Sequence, residues 1–273
     1  MNQSFVLWIL AFIVTLASAI FQRKTGPTHP VYGKQIIDDK EIKYKLIRAS
    51  DDTKGAFIFL KVADTSISGD ISFKRYKSND VWSQATLQRT NDSLGFRLPP
   101  LPAAGKITYI INLHKNGNDY QLTDAPVVLR YKGSVPALIL VPHIVLMFLA
   151  MLFSSRAGLE AIFKRKKTFI FTFYTTLFLL LGGFALGMLV QKFAFGAYWT
   201  GFPFGFDLTD NKTAIALVIW IITLFIVKKK PRNRRWPIIA MIVLFLVYMI
   251  PHSMMGSEID YTKSKVTTEK PTN

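Results

Sequence analysis

Two histidines are the side chains best placed to do chemistry, because both lie at one end of a long apolar run. His143 falls within the run 135–153, and His252 comes just after the run 236–250. Ionisable side chains inside membrane spans are costly to bury and therefore mark functional sites by default. Imidazole nitrogens ligate haem iron and transition metals. The pattern indicates a cofactor site, and the open alternative is that a neutral imidazole simply donates a hydrogen bond to a neighbouring helix.

The residues after His252 add two further ligand types, Met254 and Glu258. Histidine with methionine suits copper(I) or haem iron, and histidine with carboxylates suits zinc or iron. We therefore take His143, His252, Met254 and Glu258 as candidate metal ligands. The alternative is a flexible tail that carries ordinary interfacial residues.

An aromatic stretch at 191–220 carries the next candidates, Trp199, Asp207 and Asp210. Aromatic side chains favour the membrane–water boundary. The two aspartates mark where hydrocarbon must end, because a charge at the bilayer centre costs at least about 2.5–3.5 kcal/mol. Asp210 is expected to cap a helix that starts near 211–213.

The same stretch resembles a known family. It reads FGAYW at 195–199, continues to Asp207 and ends in ALVIW at 216–220. This is similar to the tryptophan-rich WWD loop of the membrane proteins that handle haem in cytochrome c biogenesis. The resemblance implies that Trp199 faces a haem and that His143 and His252 are its axial ligands. With Asp207 and Asp210, these residues form the candidate cofactor-binding set. The chain departs from the family in having one tryptophan in the loop and the insertion GFPFGF before Asp207.

Composition places the chain among membrane proteins. Half of its 273 residues are hydrophobic, and the formal net charge is +17. The basic residues cluster beside apolar runs, so they indicate flanking charge at a membrane and no nucleic-acid partner. The chain has no cysteine, which excludes disulfides, thiolate metal sites and cysteine nucleophiles. Motifs of soluble hydrolases, kinases and dehydrogenases are absent from the sequence.

Five apolar runs predict membrane spans. They are 5–21, 135–153, 169–190, 213–227 and 236–250. The first run ends in Ala17-Ser18-Ala19, a pattern typical of signal cleavage, so we expect five spans, or four if the segment is removed. The loops 154–167 and 228–235 are short and strongly basic, which places them in the cytoplasm of a cell-membrane protein. The remaining loops and the C-terminus are then extracytoplasmic.

Residues 22–132 have a different character, with seven short β-rich segments separated by turn signals. They are 42–47, 56–62, 71–76, 82–87, 95–98, 107–113 and 127–131. This spacing is typical of an antiparallel all-β sandwich of the immunoglobulin or fibronectin type III kind. The predicted organisation is a signal anchor or transmembrane helix at 1–21, an extracytoplasmic β-sandwich at 22–132, a four-helix transmembrane domain at 133–252 and a polar tail at 253–273.

Two hypotheses of function follow. In the first, the protein binds haem or a transition metal at its extracytoplasmic face and acts in redox chemistry or cofactor assembly. In the second, it is a non-enzymatic membrane scaffold whose β-domain binds a partner protein or an envelope component. Both make the lipid bilayer a partner. A small transporter is disfavoured, because the sequence shows no inverted repeat or pair of broken helices.

Overall fold

A computed structural model describes residues 3–52, 54–252, 254, 256–262 and 265–268. They form two compact units, a helical unit and a β unit. The helical unit takes in the first helix and the stretch Val135–Gly256. The β unit takes in Pro27–Ser134 and also Ser257–Thr267, which the sequence analysis had left in the polar tail.

The helical unit contains six α-helices and one π-helical segment among its described residues. They are α1 (Gln3–Thr25), α2 (Ala137–Ile162), α3 (Thr168–Phe178), the π-helical segment (Leu179–Leu186), α4 (Gly187–Phe195), α5 (Leu208–Lys229) and α6 (Arg235–Met249). The stretch Thr168–Phe195 is one continuous helical span of 28 residues. Within the described residues, α1, α2, this span and α5 are long and apolar enough to cross a membrane, whereas α6 has 15 residues. Four of the five predicted spans are therefore candidate membrane spans by length and composition, and a fifth at α6 stays a prediction.

Close contact with α2 explains the glycines of the π-helical segment. A Cβ atom on Gly182 would lie 2.5 Å from the Cβ of Leu146. Only a glycine lets the two helices approach this closely, as small residues do between membrane helices generally. The core of the helical unit includes Trp220 of α5, which is fully buried, together with Ala150 and Met151 of α2.

The basic loop predicted at 154–167 is mostly helix. α2 continues to Ile162, so only residues 163–167 connect it to α3. Arg156 and Glu160 therefore lie within α2, each with a side chain that is only 1% exposed. The predicted start of the loop at residue 154 was wrong because α2 continues through these residues, where the two charges, four residues apart on one helix face, pair with each other.

The β unit contains thirteen described strands. They are β1 (Val31–Ile37), β2 (Lys40–Leu46), β3 (Ala49–Ser50), β4 (Phe57–Lys61), β5 (Ser68–Arg75), β6 (Ser83–Thr86), β7 (Gln88–Thr90), β8 (Ser93–Arg97), β9 (Lys106–Lys115), β10 (Asn118–Gln121), β11 (Val127–Tyr131), β12 (Ser257–Asp260) and β13 (Lys265–Thr268). Each of the seven predicted segments overlaps one of these strands. The immunoglobulin-like or fibronectin-like assignment stays a prediction.

The strands pair into four separate sheets. The largest has the order β3-β11-β9-β5-β6, with β10 also paired to β9, and a second has the order β4-β8-β7. The hairpins β1-β2 and β12-β13 form two-stranded sheets. The turn of the first hairpin holds Asp38 and Asp39 at φ 48° and 60°, the left-handed pair that tight hairpins require. The main core collects side chains from both larger sheets and the first hairpin, including Ile58, Ile71 and Tyr109.

His114 on β9 is held between two carboxylates. Its Nδ1 lies 2.7 Å from Asp119 Oδ1, and its Nε2 contacts Asp70. The hydrogen bond to Asp119 has the largest effect and raises the pKa of His114. Burial lowers the pKa by less, and the hydrogen bond to Asp70 raises it, so the pKa lies above its ordinary value. The charged imidazole therefore stabilises the folded β unit.

We expect His114→Gln to destabilise the β unit in acid more than in alkali. A raised folded-state pKa contributes stability that is complete below the unfolded value of about 6.5 and is lost as pH rises through the folded value. Unfolding midpoints of the variant and the parent at about pH 5 and about pH 9 test this. An equal difference at the two pH values would contradict the assignment.

Candidate functional site

One end of the helical unit gathers both basic loops, and we call it the basic end. Arg165 donates from Nη1 to Gln3 Oε1 at 2.8 Å, and Arg156 donates from Nη2 to Ser4 Oγ at 3.3 Å. Arg234, which precedes α6, donates to the carbonyl oxygen of Arg165 at 2.6 Å. The start of α1, the α2–α3 loop and the α5–α6 loop therefore meet at this end.

A buried ion pair lies just inside the basic end. Glu160 accepts from Arg156, accepts from the backbone N–H of Lys167 at 2.9 Å, and lies 3.4 Å from Nε of Arg165. The guanidinium of Arg156 also lies 4.7 Å from the ring centroid of Phe171. Aromatic faces attract such cations most strongly where water is excluded. The carboxylate of Glu160 is thus engaged by three partners, which favours a structural role for this cluster.

The other end of the helical unit, which we call the loop end, is formed by residues 196–207 between α4 and α5. Asp210, buried in the first turn of α5, accepts from the backbone N–H of Thr200 at 2.6 Å and from its hydroxyl at 3.2 Å. Asn211 accepts from the N–H of Phe202 at 2.6 Å, and Gln191 donates to Thr200 Oγ1 at 2.8 Å. These polar side chains fasten the loop to α4 and α5.

Asp207, and not Asp210, caps α5. The helix begins at Leu208, earlier than expected, and Asp207 Oδ1 accepts from the N–H of Thr209 at 2.8 Å. The capping prediction for Asp210 was wrong because that residue lies inside the helix, facing the loop. Both aspartates are buried, at 2% and 9% exposure respectively. Asp207 caps the start of α5, and Asp210 holds the loop through Thr200.

His143 and His252 both belong to the loop end. Nδ1 of His143 lies 2.9 Å from the carbonyl oxygen of Gly182, and its Nε2 makes no hydrogen bond to any described residue. His252 is exposed and lies just after the end of α6. Lys212 itself is buried and donates to the carbonyl oxygen of Ile250. The structure thus brings the two histidines to one region of the bundle.

The other sequence candidates do not join them as ligands. Trp199 donates from Nε1 to the carbonyl oxygen of Phe202 at 3.1 Å, and its ring packs 5.7 Å from that of Phe184. Met254 is exposed. Glu258 belongs to the β unit, where it is buried and paired with Lys77 and Lys106. Within the described part of the chain, no group of three His, Cys, Asp or Glu residues is arranged to hold a metal ion.

A groove on the β unit is a second candidate surface, which the sequence analysis missed. Strand alternation on β4 buries Ile58 and Leu60 and leaves Phe57 and Phe59 exposed at 49% and 60%. Outward positions of a half-buried strand are normally polar, so this pattern was the available signal. The groove has a volume of about 310 Å³. Residues of β1, β2 and β4 line it, together with Ile47, which follows β2. Its lining includes Tyr32, Lys43, Lys45, Phe57, Phe59 and Lys61.

Neighbouring contacts hold the walls of this groove in place. The guanidinium of Arg97 lies 5.4 Å from the ring centroid of Phe57. Tyr44, which also lines the groove, donates its hydroxyl to the carbonyl oxygen of Leu122 and so ties the first hairpin to the rest of the β unit. Tyr44 crosses Gly33 on the paired strand, where a Cβ atom would lie 2.2 Å from the tyrosine oxygen.

Comparison of the chain with protein-family models, with curated proteins and with solved structures gives no match.

Proposed function

We propose that this protein is a non-enzymatic, membrane-anchored binding protein whose β unit binds a component of the cell envelope. The observation that carries the proposal is the pair of exposed phenylalanines, Phe57 and Phe59, in a concave groove of the β unit. Exposed aromatic side chains that line a concavity favour ligand binding, since apolar surface in contact with water has a free-energy cost. The helical unit supplies the anchor through its four candidate spans.

The orientation of the anchor follows from the separation of its two ends. Short, strongly basic loops favour the cytoplasmic side, so the basic end lies inside the cell. α1 begins at the basic end, and its Gln22, near the other terminus, donates to the carbonyl oxygen of Tyr248 at the end of α6. The chain therefore leaves α1 for the β unit at the extracytoplasmic side.

We expect cysteines introduced at Ser78 and Thr209 to react with a membrane-impermeant thiol reagent in intact cells. A cysteine at Lys166, in the α2–α3 loop, should react only after the cells are opened. The protein has no native cysteine, so the background is clean. Labelling of the Lys166 site in intact cells would reverse the orientation and place the β unit in the cytoplasm.

Site-specific photo-crosslinking tests the binding role without assuming the ligand's chemistry. A photoreactive phenylalanine analogue at Phe59 of the full-length protein should form adducts with envelope material in living cells. The matched control is the same analogue at Ile36, an equally exposed apolar residue of β1 that does not line the groove. The absence of adducts at Phe59 would overturn the proposal, and so would an equal yield of adducts at Ile36.

The loop end supports a second candidate function, haem or metal binding. If Nδ1–H of His143 donates to the Gly182 carbonyl, Nε2 is left as the free acceptor, the tautomer that metal-ligating histidines adopt. His252, just after the end of α6, is the second imidazole that this candidate uses. Two imidazoles suffice as axial ligands for haem iron, whereas a zinc site needs further ligands. Haem is therefore the better fit to the residues present.

Absorption spectroscopy and metal analysis of the detergent-purified protein test this candidate. A Soret band that shifts in His143→Ala and His252→Ala, but not in the surface control His29→Ala, would support it. A protein that takes up neither haem nor stoichiometric metal when these are supplied would leave His143 as a helix-packing donor.

A further inference from the structure

The aromatic residues of the β-unit groove are arranged in a way that suits the faces of sugar rings. Phe57 and Phe59 are two residues apart on β4 and so project from the same side of the strand. Their ring centroids are 6.5 Å apart, and their planes are 18° from parallel. Aromatic rings carry negative charge on their faces, which the C–H groups of a pyranose ring contact favourably. The two rings stack on each other and the guanidinium of Arg97 lies over Phe57, so Phe59, at 60% exposure, offers the open aromatic face.

The charged residues of the same groove are all basic. Lys43, Lys45 and Lys61 line it, and the residues that line it include no acidic side chain. The nearby Glu41 is already engaged, with its two carboxylate oxygens 3.0 Å from Lys34 and 3.4 Å from Lys43. Lys45 and Lys61 form no ion pair with any described residue. A ligand that brings its own carboxylate or phosphate groups would supply the missing partners.

We infer that this groove binds an acidic polysaccharide. The inference rests on the proposed binding role of the β unit and adds the chemical class of the ligand. Phe59, with Tyr32 at the hairpin side, contacts the apolar faces of the sugars, and Phe57 supports the ring of Phe59. The lysines pair with the acidic substituents. Because Arg97 and Tyr44 already fix the walls, binding requires little further ordering of the protein.

The spacing of the strands disfavours a peptide as the occupant. β4 is an edge strand of its sheet, and such edges accept added strands. A strand inserted between β2 and β4 would hold them about 9.5 Å apart, twice the usual separation of paired strands. Cα atoms of β2 and β4 lie within 8 Å of one another, which is too close. A flat lipid surface is disfavoured as well, because the aromatic rings line a concavity.

Paired polysaccharides that differ only in charge test the inference. The full-length protein is reconstituted in nanodiscs of uncharged phospholipid. Its binding is then measured to polygalacturonate and to the same polymer with its carboxylates methyl-esterified. Hyaluronate and its carboxyl-reduced form make a second pair. We expect the acidic member of at least one pair to bind at least tenfold more tightly, with an affinity that falls as salt is added. No preference for the acidic member in either pair overturns the inference.

Variants link the binding to the groove. Phe59→Ala should weaken binding about tenfold, as expected for an aromatic side chain central to a site. Lys45→Gln with Lys61→Gln should weaken it and reduce its salt dependence. The controls Ile36→Ala and Lys54→Gln, exposed positions outside the groove, should bind as the parent does. Equal losses in the controls would overturn the inference, and unchanged melting temperatures confirm that the groove variants are folded.

The outcomes also separate this inference from the proposed function. Adducts at Phe59 in cells, combined with no charge preference for any glycan, would keep a binding role and reject the acidic polysaccharide. Protease-sensitive adducts would identify a protein partner and would likewise reject the acidic polysaccharide. Equal binding to anionic lipid vesicles without glycan would assign the groove to a membrane surface instead. Failure to form any specific adduct would reject the binding role itself.

Discussion

Replacing Glu160 by alanine is expected to lower the free energy of unfolding of the helical unit by about 3–5 kcal/mol. The substitution leaves Arg156 buried beside Phe171 without its carboxylate partner. A buried charge that loses its partner retains its full desolvation cost. The Glu160→Ala substitution also removes the carboxylate oxygen that accepts from the Lys167 N–H at the start of α3. Reversible unfolding of the full-length protein in mixed detergent micelles gives the measurement.

Two comparisons make this prediction specific to the buried pair. Arg156→Met with Glu160→Met removes both charges and should cost less than Glu160→Ala alone. Glu41→Ala breaks an exposed pair with Lys34 in the β unit and should cost at most about 1 kcal/mol. A Glu160→Ala variant that unfolds like the parent would show that the pair adds no stability.

Much of the fold could be predicted from the sequence because the two units have different hydrophobic periods. Long uncharged runs predicted α1, α5 and most of the other helices. Short β-rich segments bounded by turn residues predicted strands such as β4 and β9. β1 escaped prediction because glycine and polar residues interrupt its alternation, and its place depends on pairing with β2.

Prediction from the sequence was wrong where a charged side chain is paired with residues far away in the chain. Arg156 reads as a loop residue, yet it is buried by contact with Ser4, and its neighbours come from α1 and α3. Glu258 reads as a metal ligand beside His252, yet two lysines from the β unit pair with it. Such tertiary partners leave no local pattern. The approach of His143 to His252 stays a prediction from their shared depth in the membrane, whereas the roles of Asp207 and Asp210 required knowing where α5 begins.

Asp210→Ala is expected to release the loop 196–207 while leaving α5 in place. Asp210 accepts two hydrogen bonds from Thr200, and hydrogen bonds to a charged group contribute about 1.5–3 kcal/mol each. A fall of about 2–3 kcal/mol in the free energy of local opening corresponds to about 30- to 150-fold faster cleavage when proteolysis tracks the open population. Chymotrypsin acting at Phe204, whose side chain is 83% exposed, gives the rate.

The matched control for this variant is Asp207→Ala, since Asp207 is buried at the same end of the helix but caps it. Loss of the cap should cost about 0.5–2 kcal/mol and should be reversed by Asp207→Ser, which restores a capping oxygen. Asp210→Asn keeps one acceptor oxygen and should fall between the parent and Asp210→Ala in cleavage rate. Equal acceleration in Asp207→Ala and Asp210→Ala would contradict the separate roles, because it would mean that the loop and the helix start open together.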